Sequence, residues 1–136
     1  MKHLKFIFAS LLIAAITTMG FSTKASAQTT YWSPYIGTGT NAFTNGTSSS
    51  TLLTNTANWT APSTTVPADP TVPCPGTTFL CGMEIVVPAG QSLPTFQNIL
   101  NALKSYYDAH KPFSAGTPFS LTVSSITLTV TVYLHD

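Results

Sequence analysis

The residues able to do chemistry are few. Beyond position 27 the chain carries two cysteines, Cys74 and Cys81, two histidines, His110 and His135, and four carboxylates, Asp69, Glu84, Asp108 and Asp136. A redox dithiol normally separates its cysteines by two residues, and a structural zinc site needs four ligands. The stretch CPGTTFLC does neither, because six residues intervene and no histidine lies nearby. The expectation is therefore one disulfide, Cys74 to Cys81, with Pro75-Gly76 supplying the turn. Closing so short a loop contributes roughly 2 to 3 kcal/mol in the chain-entropy account.

Hydrolytic chemistry needs a nucleophile with a base and an orienting group, or two carboxylates across a cleft. Asp108 and His110 stand two residues apart within a helical pattern, so their side chains diverge, and helix-end electrostatics and solvation account for both. Asp69 falls in a proline-rich connector, Glu84 in a short strand, and His135-Asp136 reads as a solvated tail. No Gly-x-Ser-x-Gly occurs. The expectation is a protein that is not an enzyme and uses no metal or cofactor.

Binding chemistry has one candidate. Tyr31, Trp32, Tyr35, Phe43 and Trp59 crowd into an Asn/Thr-rich segment. Rings beside hydroxyls and amides suit a glycan or peptide platform, for which Trp32, Tyr35 and Trp59 are the contact candidates. The competing and favoured reading makes them core anchors of a segment poor in Leu, Ile and Val. Asn45-Gly-Thr47 and Asn58-Trp-Thr60 match the glycosylation acceptor pattern, which points to accessible loops.

Several elements must position these groups. Residues 28–60 mix short apolar pieces with Gly37, Gly39 and Asn45-Gly46, and read as β or irregular. Residues 61–82 form a strap with prolines at 62, 67, 70, 73 and 75 that ends in the cysteine loop. Met83 to Val87 reads as a short strand stopped by Pro88 and Gly90. Phe96, Ile99, Leu100, Leu103 and Tyr107 recur every three or four residues, predicting a helix over about 95–111. Phe119, Leu121 and Val123 then alternate on odd positions, and Ile126 to Leu134 on even ones. The phase flips at Ser124-Ser125, which reads as a β-bulge or sheet-switching bend in one long strand, or, less favoured without Gly or Asn, as a two-residue hairpin turn. One face of this ribbon is expected against the helix, with Thr127, Thr129, Thr131 and Tyr133 on the other.

The first residues, MKHLKFIFASLLIAAITTMGFSTKASAQ, combine a basic start, an apolar run from Phe6 to Ile16 and a small-residue site at Ala25-Ser26-Ala27. That is the grammar of a cleaved secretory signal over 1–27, the run falling short of the roughly 20 residues of a spanning helix. A secreted or periplasmic product beginning at Gln28 is expected, with no membrane span after cleavage. It would carry two lysines against four carboxylates and no arginine, too little basic surface for nucleic acid. In place of charge it has 21 threonines and 11 serines. Low charge also lowers the barrier to self-association, and residues 119–134, without a single formal charge, would be prone to pair with another chain if they formed a sheet edge.

With the leader, Tyr31-Trp32, Trp59 and PCPGTTFLCG in view, the chain resembles short exported proteins of unknown function from Gram-negative bacteria. That resemblance implies export and a single cysteine loop and carries no activity. The fold expected for residues 28–136 is a single α+β domain, a small antiparallel sheet with one packed amphipathic helix, over a loop-rich, Pro/Thr-rich N-terminal half. The function expected is an exported, non-enzymatic binding, adhesion or structural module whose partner is a protein or a glycan. Two alternatives stand beside it: a self-assembling fibre or surface-layer subunit pairing through its C-terminal strand, and a small secreted enzyme or inhibitor.

Overall fold

The computed structural model describes residues 27–136, so the leader expected over 1–27 falls, but for its last residue, outside them. The fold is α+β. Four antiparallel strands, β1 (Thr29–Pro34), β2 (Phe79–Val87), β3 (Pro118–Val123) and β4 (Ile126–His135), lie in the order β1-β2-β4-β3. A four-residue helix α1 (Thr51–Thr54) and the main helix α2 (Phe96–His110) complete the regular elements, with single 3-10 turns at Gly39–Asn41 and Thr56–Asn58.

Helix α2 forms where the three-and-four spacing said it would. Ile99, Leu100, Leu103 and Tyr107 are its buried stripe. Thr95 is the N-cap residue, and the helix stops ahead of Pro112, whose ring disfavours helical backbone at Lys111. On its exposed side Lys104 reaches Asp108 one turn on, at 2.6 Å. That pair adds only a few tenths of a kcal/mol. The buried stripe holds the helix far more firmly, each such Leu or Ile being worth about 2 to 5 kcal/mol against truncation to Ala.

Strand β2 begins at Phe79, four residues earlier than its sequence suggests, and a register irregularity between Leu80 and Gly82 absorbs Cys81. The strap therefore ends before Phe79 rather than at residue 82. The sequence expectation of one long terminal ribbon is also corrected. Ser124 and Ser125 both take left-handed backbone, φ 50° and 69°, and Val123 pairs with Ile126. The phase flip is thus a two-residue hairpin turn, not a bulge: two consecutive positive φ values reverse the chain with the twist that neighbouring strands require. Serine occupies these positions in place of the expected Asn or Gly.

The hairpin decides the fate of the last strand. β4 pairs with β2 on one side and β3 on the other, so it is central, and its Leu128, Val130, Val132 and Leu134 are 0–1% exposed. The charge-free sequence there is core. Those side chains share one hydrophobic cluster with the α2 stripe, with Met83, Ile85 and Val87 of β2, and with Phe43, Leu53 and Trp59 from the N-terminal half. Asn45 ties that half to the helix exit: its Oδ1 accepts from Phe113 N–H at 2.8 Å while its Nδ2 donates to Phe113 C=O at 3.0 Å.

The outer edge of β1 is guarded. Ile36 and Trp32 N–H donate to the carbonyls of Asn58 and Ser63, and Thr60 and Ser63 N–H donate to those of Pro34 and Trp32, at 2.7–2.9 Å. Ser33, fully buried, adds a hydroxyl bond to Thr60 C=O at 2.7 Å. Residues 58–63 thus serve as a guard strand.

Candidate functional site

Cys74 and Cys81 form the expected disulfide, with Cα atoms 5.7 Å apart. Behind it Asp136 is held in place, its Oδ1 accepting from Thr77 N–H at 3.0 Å and lying 3.3 Å from Thr78 Oγ1. Gly76 passes so close to the last two residues that a Cβ there would sit 2.3 Å from the Asp136 backbone nitrogen. His135-Asp136 is therefore an anchored end, not the solvated tail its sequence suggests.

The three rings named as a ligand platform do not form one. Trp59 is 4% exposed, its Nε1 donating to Leu53 C=O at 3.0 Å. Tyr35 stands edge-on to Trp59 and donates its phenol to Asn41 C=O at 2.6 Å. Burial pushes that phenol above its ordinary pKa, and a hydrogen bond with Asn58 partly opposes the shift. Trp32 lies on the opposite face of the sheet, over Gly82 and against Tyr133 at 5.6 Å, and is also buried. Each ring finds apolar cover and a polar partner or neighbour inside the fold, which is how amphipathic aromatics behave as anchors. The two glycosylation patterns fail similarly. Asn45 is occupied by Phe113, and Asn58 is 3% exposed and donates to Leu52 C=O.

Several titratable groups take local structural roles. His110 stacks on Tyr106, its Nδ1 3.0 Å from the carbonyl of Tyr106. The Lys104 hydrogen bond, with a smaller one from Ser50, holds the Asp108 carboxyl below its ordinary value. Asp69 closes a small turn on Thr71. Among the described residues no three His, Cys, Asp or Glu side chains gather into a possible metal site.

Two clefts adjoin at the end of the sheet. One, of about 300 Å³, is lined by Gly37, Thr38, Phe43, Phe79 and His135. The other, of about 450 Å³, is lined by Tyr35, Pro73, Pro75, Cys81, His135 and Asp136. The imidazole they share rests against Phe79, with its Nδ1 3.0 Å from the carbonyl oxygen of Asp136. The first cleft is mainly apolar, whereas the second is about equally polar and apolar, with His135 and Asp136 on its wall.

The remaining surface is the outer face of the sheet, built by strand alternation opposite the core. Thr127 and Thr129 of β4 and Ser120 and Thr122 of β3 are all exposed on it, and the register sets Thr122 beside Thr127 and Ser120 beside Thr129. Neighbouring hydroxyls then stand about 5 Å apart across strands and about 7 Å apart along them. Val86 and Thr30 continue the Thr129 row across β2 and β1. At one end Glu84 and Asp69 lie near Tyr133, and burial first, then these two charges, raise its phenol pKa. Sequence alternation had identified Thr127 and Thr129, but Ser120 and Thr122 join them only because the hairpin folds β3 alongside. Comparison with protein-family models, curated proteins and solved structures finds no match for this chain.

Proposed function

We propose that this is an exported, non-catalytic module that binds an extended hydroxyl-bearing polymer, a polysaccharide, on the outer face of its sheet. The observation that carries the reading is the exposed array of Thr127, Thr129, Ser120 and Thr122 on neighbouring central and edge strands. Each hydroxyl both donates and accepts, so a row of them matches sugar hydroxyls in either polarity. A sheet holds the row rigid, which lowers the ordering cost of binding. The use of Asp108 in an ion pair, Asp69 in a turn, His110 in stacking and Asp136 in a backbone hydrogen bond supports the non-catalytic part, and the leader and disulfide support export.

Binding to a polysaccharide panel, measured by retention on insoluble glycans and by calorimetry, tests this. Thr127→Ala with Thr129→Ala should abolish retention while lowering the thermal midpoint by no more than about 8 °C, because both side chains are exposed and lose mainly strand propensity, about 1 kcal/mol in all. Retention unchanged in that variant, or a hydrolytic activity lost on changing His135 or Glu84, refutes the proposal.

A further inference from the structure

The sheet has one bare edge among the described residues, and it belongs to β3. β1 is guarded by residues 58–63, which leave only Thr30 facing outward beyond them, whereas nothing pairs with the far side of Pro118–Val123. The tight turn makes Val123 and Ile126 a hydrogen-bonded pair, so by antiparallel alternation Leu121 and Phe119 also spend their backbone groups on β4. Ser120 and Thr122 therefore direct their N–H and C=O groups outward, into solvent. This edge carries no charge from Lys111 to Asp136 and no bulge; the single blunting device is Pro118 at its start.

We infer that β3 pairs with β3 of a second copy of this chain, antiparallel about a two-fold axis at Leu121, to form a closed dimer with one continuous eight-stranded sheet. In that register Ser120 faces Thr122 of the other copy, and the reverse holds across the axis. All four outward N–H groups then meet all four outward carbonyls of these residues. Phe119 falls opposite Val123 and Leu121 opposite itself, so the apolar face continues across the junction with aromatic-to-β-branched pairs. Sliding by one pair, with Ser120 facing itself, would set Thr122 against Pro118, whose ring has no N–H for the Thr122 carbonyl.

One bare edge per copy also fixes the stoichiometry. A fibre needs two complementary surfaces on each subunit, and a two-fold contact uses its only surface up. The inference does not depend on what the outer face binds: Thr127→Ala with Thr129→Ala leaves the β3 edge untouched, so loss of polysaccharide binding with an intact dimer in that variant separates the two.

Sedimentation of residues 28–136 from roughly 10 µM to 1 mM should show a monomer–dimer equilibrium with no larger species. Amide exchange at Ser120 and Thr122 should slow as concentration rises, since these N–H groups have no partner within one chain. Ser120→Lys with Thr122→Lys sets like charges opposite one another twice and should weaken the dimer by about tenfold or more. Ser120→Lys with Thr122→Glu instead sets opposite charges together and should restore it, while imposing a comparable burden on the folded monomer. A protein still monomeric at the highest concentration, species beyond the dimer, or equal dimerisation of the two charged variants each overturns the inference.

Discussion

Replacing Ser124-Ser125 by Asn-Gly tests the hairpin at its least favourable point. Both serines hold positive φ, 50° and 69°, where an L side chain crowds its own carbonyl at a cost of roughly 1 to 2 kcal/mol per residue. Asparagine reduces that cost at the first position and glycine removes it at the second. Against this, glycine adds unfolded-state freedom worth about 0.5 to 1 kcal/mol. The net expectation for Ser124→Asn with Ser125→Gly is a gain of about 1 kcal/mol, or about 4 to 8 °C in thermal midpoint for a chain of this size. Urea unfolding followed by circular dichroism supplies the assay, and an unchanged slope is required for the comparison to hold. Ser125→Ala serves as the control, because alanine meets the same crowding and should give no gain. A double variant less stable than the parent would refute the reasoning, since a bulge within a continuous strand, unlike a tight turn, is weakened by glycine.

Other expectations follow from named contacts. Reducing the Cys74–Cys81 bond, or replacing both by Ser, should lower unfolding free energy by about 2 to 3 kcal/mol in denaturant titrations with and without reductant, with no gain of thiol-exchange activity. Gly82→Ala would place a Cβ 2.7 Å from the Trp32 ring and 3.0 Å from the Ser33 carbonyl, and should cost about 1 to 3 kcal/mol with a shift in tryptophan fluorescence. Because the Tyr133 phenol is raised in the folded protein, its contribution is complete below the ordinary tyrosine pKa and is lost as pH rises through the raised value. The fall in thermal midpoint above about pH 10 should therefore shrink in Tyr133→Phe. Asp108, lowered by Lys104, behaves oppositely: its small contribution is present above the unfolded carboxylate pKa and lost as pH falls through the folded one, so Asp108→Asn should flatten the acid limb.

What could be read without coordinates was whatever repeats locally. The three-and-four spacing of Ile99, Leu100, Leu103 and Tyr107 specified α2 to within a residue at either end, and the even-numbered apolar run specified the buried face of β4. Ser124-Ser125 was misread because turn chemistry was judged by residue preference, and strand pairing on both sides overrode that preference. The sequence leaves residues 28–60 open between β and irregular, because Tyr31-Trp32-Ser33-Pro34 does not alternate in polarity: Ser33 points into the core while Trp32 is sheltered by Tyr133 on the opposite face. The aromatic platform failed for a related reason. The favoured reading of Trp32, Tyr35 and Trp59 as core anchors agrees with their burial, but distant cover such as Tyr133 on Trp32 and Phe96 on Trp59 is not recorded in the composition of one window. Likewise the hydroxyl array depends on strand order, which brings Ser120 and Thr122 beside β4.

The strap between Thr64 and Pro73 has a practical corollary. It is largely solvent-exposed, with Val72 73% exposed, and it joins two portions that embrace without its help. Upstream lie β1 and its guard strand; downstream lie β2, α2, the hairpin and the sulfur bridge. A protease nick there would sever the backbone while β1 stayed zipped to β2, so the fragments should co-purify. Expressed as separate polypeptides, the same halves are natural material for a complementation pair, with Trp59 docking reporting their reunion by fluorescence.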